Sequence, residues 1–188
     1  MTQPKRIYLA GPEVFFPAAE HKAIVAEKKR LLREYGFEGV DPLDTELVFS
    51  DDESKPDRGH HIYRANRELM DSCDAMIANL TPFRGISADP GTVYEVGYMA
   101  SQGKTAFGFS LDSRRYRERA GSTDQDELGH TIEDFELSDN LMIEGGLCES
   151  GGQLFVAEQP GEHRFFSSEL FRRCVRSLSQ TLTTISLH

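Results

Sequence analysis

Apolar positions along this chain come in short blocks that alternate with amphipathic stretches. Residues 5–11, KRIYLAG, form a β-prone run that halts at Gly11-Pro12, which predicts a strand and a turn. Residues 18–35 carry helical spacing. Ile24, Leu31 and Leu32 supply the apolar side, and Lys28, Lys29, Arg30 and Arg33 a wet side. Gly36 is placed to stop that helix. Residues 37–40 predict a brief second strand closed by Asp41-Pro42. A stretch with Asp51, Asp52, Glu53, Pro56, Asp57 and Gly59 reads as a loop. Helical spacing resumes over 62–73 through Ile62, Ala65, Leu69 and Met70. Residues 74–80, DAMIANL, predict a third, buried strand. After a loop with two prolines come a helix over 91–102, a stop at Gly103 and a strand over 105–110. A long excursion with short helices, a fifth strand over 154–157 and a terminal helix over 167–182 complete the pattern.

Strand and helix in alternation predict an α/β fold: an open parallel sheet of about five strands with helices on both faces. The length of 188 residues suits one domain, with excursions at about 44–60 and 112–149. Ligands of such sheets bind beyond the carboxyl ends of the strands. Those ends are Ala10-Gly11-Pro12 and residues 41–44, 79–84 and 110–112.

The formal net charge is −10, which disfavours a nucleic-acid polymer or an anionic membrane as partner. The charge is concentrated: residues 41–60 sum to −5 and residues 112–149 to −7, so the rest of the chain is slightly basic. Both acidic stretches leave strand ends that face the expected crevice. Cys73, Cys148 and Cys174 stand far apart and form no CxxC pair, which points to reduced thiols in a cytoplasmic protein. No apolar run reaches the roughly 18 residues of a membrane span.

Several chemistries have no signature here. There is no GxGxxG after the first strand, no GxxxxGK[ST], no GxSxG and no HExxH. His60-His61 reads as part of a solvated loop. His130 with Glu133 and Asp134 has metal-like spacing for one helical turn, a weak signal on its own. The informative segment is SADPGTVYEVGY, residues 87–98. Asp89 before Pro90 reads first as a helix N-cap. Val93, Val96, Gly97 and Ala100 make the packing stripe of the helix, and Glu95 lies off it beside Thr92 and Tyr98. This helix starts at the crevice, so Glu95 sits in its second turn near the positive end of the dipole. An ionised carboxylate in a half-apolar site is a nucleophile suited to a sugar C1 atom with an oxocarbenium-like transition state. Tyr8, at the end of the first strand, is placed to orient it.

The combination IYLAGPEVF, DPLD, the unit from Asn66 to CDAMIANL, DPGTVYEVGY, GK before the fourth strand and SDNLM resembles the nucleoside 2-deoxyribosyltransferases. The resemblance spans most of the chain from Arg6 to Met142. It implies a flavodoxin-like five-stranded sheet. It also implies ping-pong transfer of 2-deoxyribose between nucleobases through a covalent glycosyl-enzyme, with no cofactor and no metal. By the same resemblance Glu95 is the nucleophile, Asp89 holds the deoxyribose and Tyr8 hydrogen-bonds the nucleophile. Gly11, Phe15, Asp44, Glu46, Asn66 and Phe83 line the substrate. Asn140 and Met142 are lent to a neighbouring subunit's site, which requires a homo-oligomer.

Two departures stand out. Asn66 falls where several members have an aspartate credited with proton transfer to the base, leaving Asp44, Glu46, water or Glu95 for that role. Glu46 falls where some members use glutamine against the base. Related hydrolases of nucleoside 5′-monophosphates carry serine where this chain has Asp89. A carboxylate there would repel a phosphate by ~1–4 kcal/mol at about 4 Å, so a neutral nucleoside is the expected substrate. Arg84 reads as a loop arginine paired with a nearby acid rather than a phosphate ligand. Two other functions stay open: an N-glycoside hydrolase on the same site, and a non-catalytic nucleotide-sensing module.

Overall fold

Five parallel strands form one sheet in the order β2-β1-β3-β4-β5: β1 (Arg6–Ala10), β2 (Glu38–Val40), β3 (Ala75–Asn79), β4 (Thr105–Ser110) and β5 (Leu154–Val156). This is the flavodoxin-like order. The computed structural model describes residues 3–159 and 163–185. Six α-helices lie among them: α1 (Ala18–Arg33), α2 (Lys55–Asp71), α3 (Pro90–Ser101), α4 (Tyr116–Ala120), α5 (Leu141–Glu149) and α6 (Ser168–Ile185).

The period-2 alternation of the strands divides the core into two halves. On β1, Ile7 and Leu9 join Leu31, Leu32, Phe171 and Val175 on the face covered by α1 and α6. Tyr8 and Ala10 turn the other way and join Met76, Val96, Met99 and Leu147 on the face covered by α3 and α5. Tyr8 sits in register with Val40 and Met76 and is fully buried. The strand order reverses between β1 and β3, and there the carboxyl ends part to leave a crevice.

Three details differ from the sequence pattern. The second helix begins at Lys55, capped by the Ser54 hydroxyl, which accepts from the Asp57 N–H. Pro56 in the first turn starts this helix rather than breaking it, so His60 and His61 ride on α2 instead of a loop. On α3 the buried residues are Thr92, Val96 and Met99, while Gly97 is exposed. Lys28, expected on the wet side of α1, is 2 % exposed.

Lys28 is buried because it has a partner. Its Nζ donates to Glu13 Oε1 at 2.6 Å and lies 5.4 Å from the Phe109 ring centre. Asn79, at the end of β3, donates to the same Glu13 oxygen at 2.8 Å and to the Phe165 carbonyl at 2.7 Å. The network clamps the turn after β1, a 3-10 helix over Pro12–Phe15, onto the sheet. Gly11 has no room for a side chain there: a Cβ would stand 2.0 Å from Glu13 Oε2 and 2.9 Å from Asn79 Cβ.

A buried charge left without its partner costs about 3–5 kcal/mol. Lys28→Met should therefore lower the urea-unfolding free energy by about 3 kcal/mol, and adding Glu13→Gln should recover part of the loss. A loss within ~0.5 kcal/mol would show that Glu13 does not need this ammonium.

Candidate active site

At the crevice between β1 and β3 lies a cavity of about 460 Å³. Gly11, Val14 and Phe15 from the turn after β1 form one side of it. Pro42, Leu43, Thr45, Leu47 and Phe49 from the segment after β2 form another. Ile62 and Asn66 of α2 and Asp89, Gly91, Thr92 and Glu95 at the start of α3 complete it. The lining is mostly apolar, with polar groups concentrated at the α3 end, as in small-molecule sites generally.

Glu95 enters from the second turn of α3 and meets the core-facing tyrosine of β1. Tyr8 Oη donates to Glu95 Oε1 at 2.7 Å. Among the described residues Oε2 accepts no hydrogen bond. Burial is the main influence on this carboxyl and pushes its pKa from 4.5 up to about 7. The Tyr8 hydroxyl pulls it down, and the negative charge of Asp89 pushes it up. Burial and the Glu95 charge hold the Tyr8 phenol far above its ordinary value, so Tyr8 remains a donor.

Asp89 is the N-cap of α3. Its Oδ2 accepts from the Thr92 N–H at 3.0 Å and lies 3.3 Å from the Thr92 hydroxyl. Among the described residues Oδ1 accepts nothing. The capping role and a ligand-binding role therefore do not compete, because each takes a different oxygen of a carboxylate that lines the cavity.

Gly11, Phe15, Asn66, Asp89 and Glu95 line the cavity, and Tyr8 is buried behind Glu95. The other expected residues lie elsewhere. Asp44 caps the 3-10 turn Pro42–Asp44 through the Asp41 N–H and receives Lys29 Nζ at 2.5 Å, outside the cavity lining. Glu46 is exposed. Phe83 is one layer back, stacked on Phe15 with ring centres 5.7 Å apart. Asn140 caps α5, accepting from the Met142 N–H at 3.1 Å and donating to Glu133 at 2.8 Å, and Met142 is 75 % exposed. Neither lines this chain's own cavity.

Arg84 makes no ion pair among the described residues. Its guanidinium lies 4.6 Å from the Phe15 ring centre and 4.8 Å from that of Phe83, a cation–π arrangement that extends the stack. Its backbone is left-handed, with φ 56°. His130 is not on a helix: it follows a turn in which Asp126 accepts its N–H at 2.9 Å. No group of three or more His, Cys, Asp or Glu among the described residues is arranged to hold a metal ion. No helix among them is long and apolar enough to cross a membrane.

Sequence reasoning did not find the wall formed by Leu47, Phe49 and Ile62. Its signal was an apolar triplet straddling an acidic stretch, which composition alone assigns to solvent. It also missed Asp139, which is 2 % exposed and accepts from the Ala88 N–H at 2.9 Å, directly before Asp89.

Comparison with known proteins gives this arrangement a lineage. A solved structure described as a 2-desoxiribosyltransferase from Leishmania mexicana superposes with a TM-score of 0.66 at 29% identity, covering 92% of this chain and 98% of that one. A conserved protein from Enterococcus faecalis V583, at 21% identity and a TM-score of 0.57, covers 93% of this chain and 99% of its own, and shares the fold. An uncharacterized protein of Schizosaccharomyces pombe is 33% identical over 199 residues, spanning 95% of this chain and 90% of the relative. The family model described as Nucleoside 2-deoxyribosyltransferase matches residues 7–142, a span that holds every residue of the crevice. The chain belongs to the nucleoside 2-deoxyribosyltransferase family.

Proposed function

We propose that this protein transfers 2-deoxyribose between nucleobases, with Glu95 as nucleophile. The observation that carries the reading is the hydrogen bond from Tyr8 to one oxygen of Glu95 inside an apolar cavity that also holds Asp89. In the first step Glu95 Oε2 attacks C1′ of a deoxynucleoside. A C1′–O bond forms, the C1′–N bond breaks, and the base leaves with the electron pair. With Asp44 and Glu46 outside the cavity lining, the departing base takes a proton from water, and the hydroxide so formed removes the N–H proton of the incoming base in the second step. A second base then attacks C1′, the ester bond breaks and Glu95 is regenerated. Two inversions retain configuration. Tyr8 holds Oε1, so Oε2 is the attacking atom, and Asp89 Oδ1 is available to a sugar hydroxyl. The likeness to the Leishmania mexicana enzyme over nearly the whole of both chains supports the reading.

The exchange assay is deoxyinosine with adenine. Deoxyadenosine should form, and Glu95→Ala should abolish it. Absence of product from the pure protein, or unaltered exchange in Glu95→Ala, would sink the proposal. Sugar release at the same rate with and without added base would assign the site to hydrolysis instead.

The nucleophile must be ionised, so the transfer rate should rise with pH through about 7. Tyr8→Phe removes the donor that favours the carboxylate. Its acid limb should move to higher pH, and kcat should fall about tenfold or more, since a hydrogen bond to a charged group is worth ~1.5–3 kcal/mol. An unmoved limb in Tyr8→Phe would remove Tyr8 from this role.

Stability should run opposite to activity at this residue. The folded-state pKa of Glu95 is raised, so the native protein binds more protons than the unfolded chain between about 4.5 and 7. Folding stability from this group is therefore lost as pH rises across that window, by on the order of 3 kcal/mol. Glu95→Gln should be inactive yet more stable than wild type in denaturant titrations at pH 8. At pH 4 the two should converge. Equal stability at both pH values would contradict the buried-carboxylate account.

A further inference from the structure

Asp139 is buried at a junction of three segments. Its Oδ1 accepts from the Ser87 hydroxyl and from the Asn140 N–H at 2.8 Å, and its Oδ2 accepts from the Ala88 N–H at 2.9 Å. The Arg119 guanidinium, itself 3 % exposed, stands 3.6 Å from Oδ2. Arg119 also donates to the carbonyls of Ile86 at 2.7 Å, Arg114 at 2.5 Å and Ser138 at 2.5 Å. Between them the two side chains bind Ile86, Ser87 and Ala88, the three residues that lead into Asp89. None of these contacts involves the cavity, and neither residue lines it.

This is more anchoring than an N-cap needs. Asp89 caps α3 through its own contact with Thr92, and that bond does not depend on Asp139 or Arg119. What the cap leaves undetermined is how the chain approaches Asp89, and thus where the second carboxylate oxygen stands. A loop with few regular hydrogen bonds would let that oxygen wander. Reacting groups displaced by about 1 Å can lose roughly 100-fold in rate. A buried carboxylate with both oxygens hydrogen-bonded, beside a buried guanidinium, is the stiff kind of support such a group requires.

We infer that Asp139 and Arg119 are positioning residues for the active site: they lock the Ile86–Ser87–Ala88 backbone and thereby fix the Asp89 carboxylate relative to Glu95. The inference rests on the deoxyribosyltransferase reading only for its effect on rate; the geometric part stands without it. Asp139 thereby links the long excursion over 112–149 to the crevice, through the residue just before the α5 cap.

The charge of Asp89 is felt by Glu95, so the Glu95 titration reports where Asp89 stands. Tyr8 and Asp89 are the ionisable groups that act on it. The experiment is a ¹³C NMR titration of carboxyl-labelled glutamate in the full chain, with the Glu95 signal assigned by Glu95→Gln. Asp89→Asn should lower the Glu95 midpoint and sets the reference. Asp139→Asn should lower it in the same direction, and Ser87→Ala, which changes no charge, should do so to a smaller extent. Transfer by Asp139→Asn should fall about tenfold or more in kcat. A wild-type midpoint in the folded variants overturns the inference, even if their thermal stability is lower. Should Asp139→Asn fail to fold, Ser87→Ala decides alone. A wild-type protein that transfers no deoxyribose would refute the proposed function, while the titration still decides the positioning role.

Discussion

The contact on which the crevice depends is the one between Glu13 and Lys28. A parallel sheet ends in loops, and loops at a strand end are held only as well as their polar groups are satisfied. Here a carboxylate from the turn after β1, an ammonium from α1 and an amide from the last residue of β3 meet out of water. Each is expensive to bury alone and acceptable together. The meeting defines how far the β1 turn stands from β3. Gly11 and Phe15 occupy their places in the cavity wall because that distance is set beneath them. The same closeness excludes a Cβ at residue 11.

On the other face of the sheet the alternation of β1 brings a phenol under α3. An odd-numbered tyrosine on this strand would have faced α1 and α6, far from Glu95. The site is thus a product of strand parity, a helix that starts at the crevice, and a carboxylate two turns or less from that start. Apolar enclosure then makes the carboxylate reluctant to ionise, while one neutral donor keeps the ionised form accessible near neutral pH. A carboxyl whose pKa is raised in this way stabilises the fold less once it ionises.

Much of this was legible in the sequence. The element order and the parallel sheet follow from short apolar runs broken by glycine and proline, while the pairing of Tyr8 with Glu95 was implied by the family resemblance. Asp89 was readable as a cap, and the structure bears that out through Oδ2 while the residue also lines the cavity. What was not legible were partnerships between distant polar residues. Lys28 looks like one more lysine on a wet helix face, because nothing in its neighbourhood announces Glu13, fifteen residues earlier. The loop assigned to residues 51–59 holds over 51–54 and gives way to α2 from Lys55 for a local reason: Ser54 and Pro56 are helix-start residues, and the run of acids obscured them. Phe83 and Arg84 form a stack that no periodicity encodes. Asp44 is drawn to Lys29 rather than into the cavity, since a nearby ammonium outweighs an apolar wall.

The acidic excursion over residues 112–149 changes meaning once its contacts are known. Its four arginines all pair with acids of the same stretch. Asp112, Glu118, Asp126, Glu133, Asp139 and Glu144 each accept a backbone N–H. Carboxylates here do what strand and helix ladders do elsewhere: they satisfy the main chain. The charge concentrated in this stretch is to a large extent a scaffold. Asp112 and Asp126 are held below the usual carboxylate range, by Arg114 and by the His130 N–H respectively. The support they give is present at neutral pH and lost as pH falls through those lowered values. In the language of binding equilibria, the proton is a ligand for the unfolded form of this segment. Within the excursion, α5 is anchored in the core through Ile143 and Leu147, whereas the loop before it depends on ionised carboxylates for part of its support, which acid weakens.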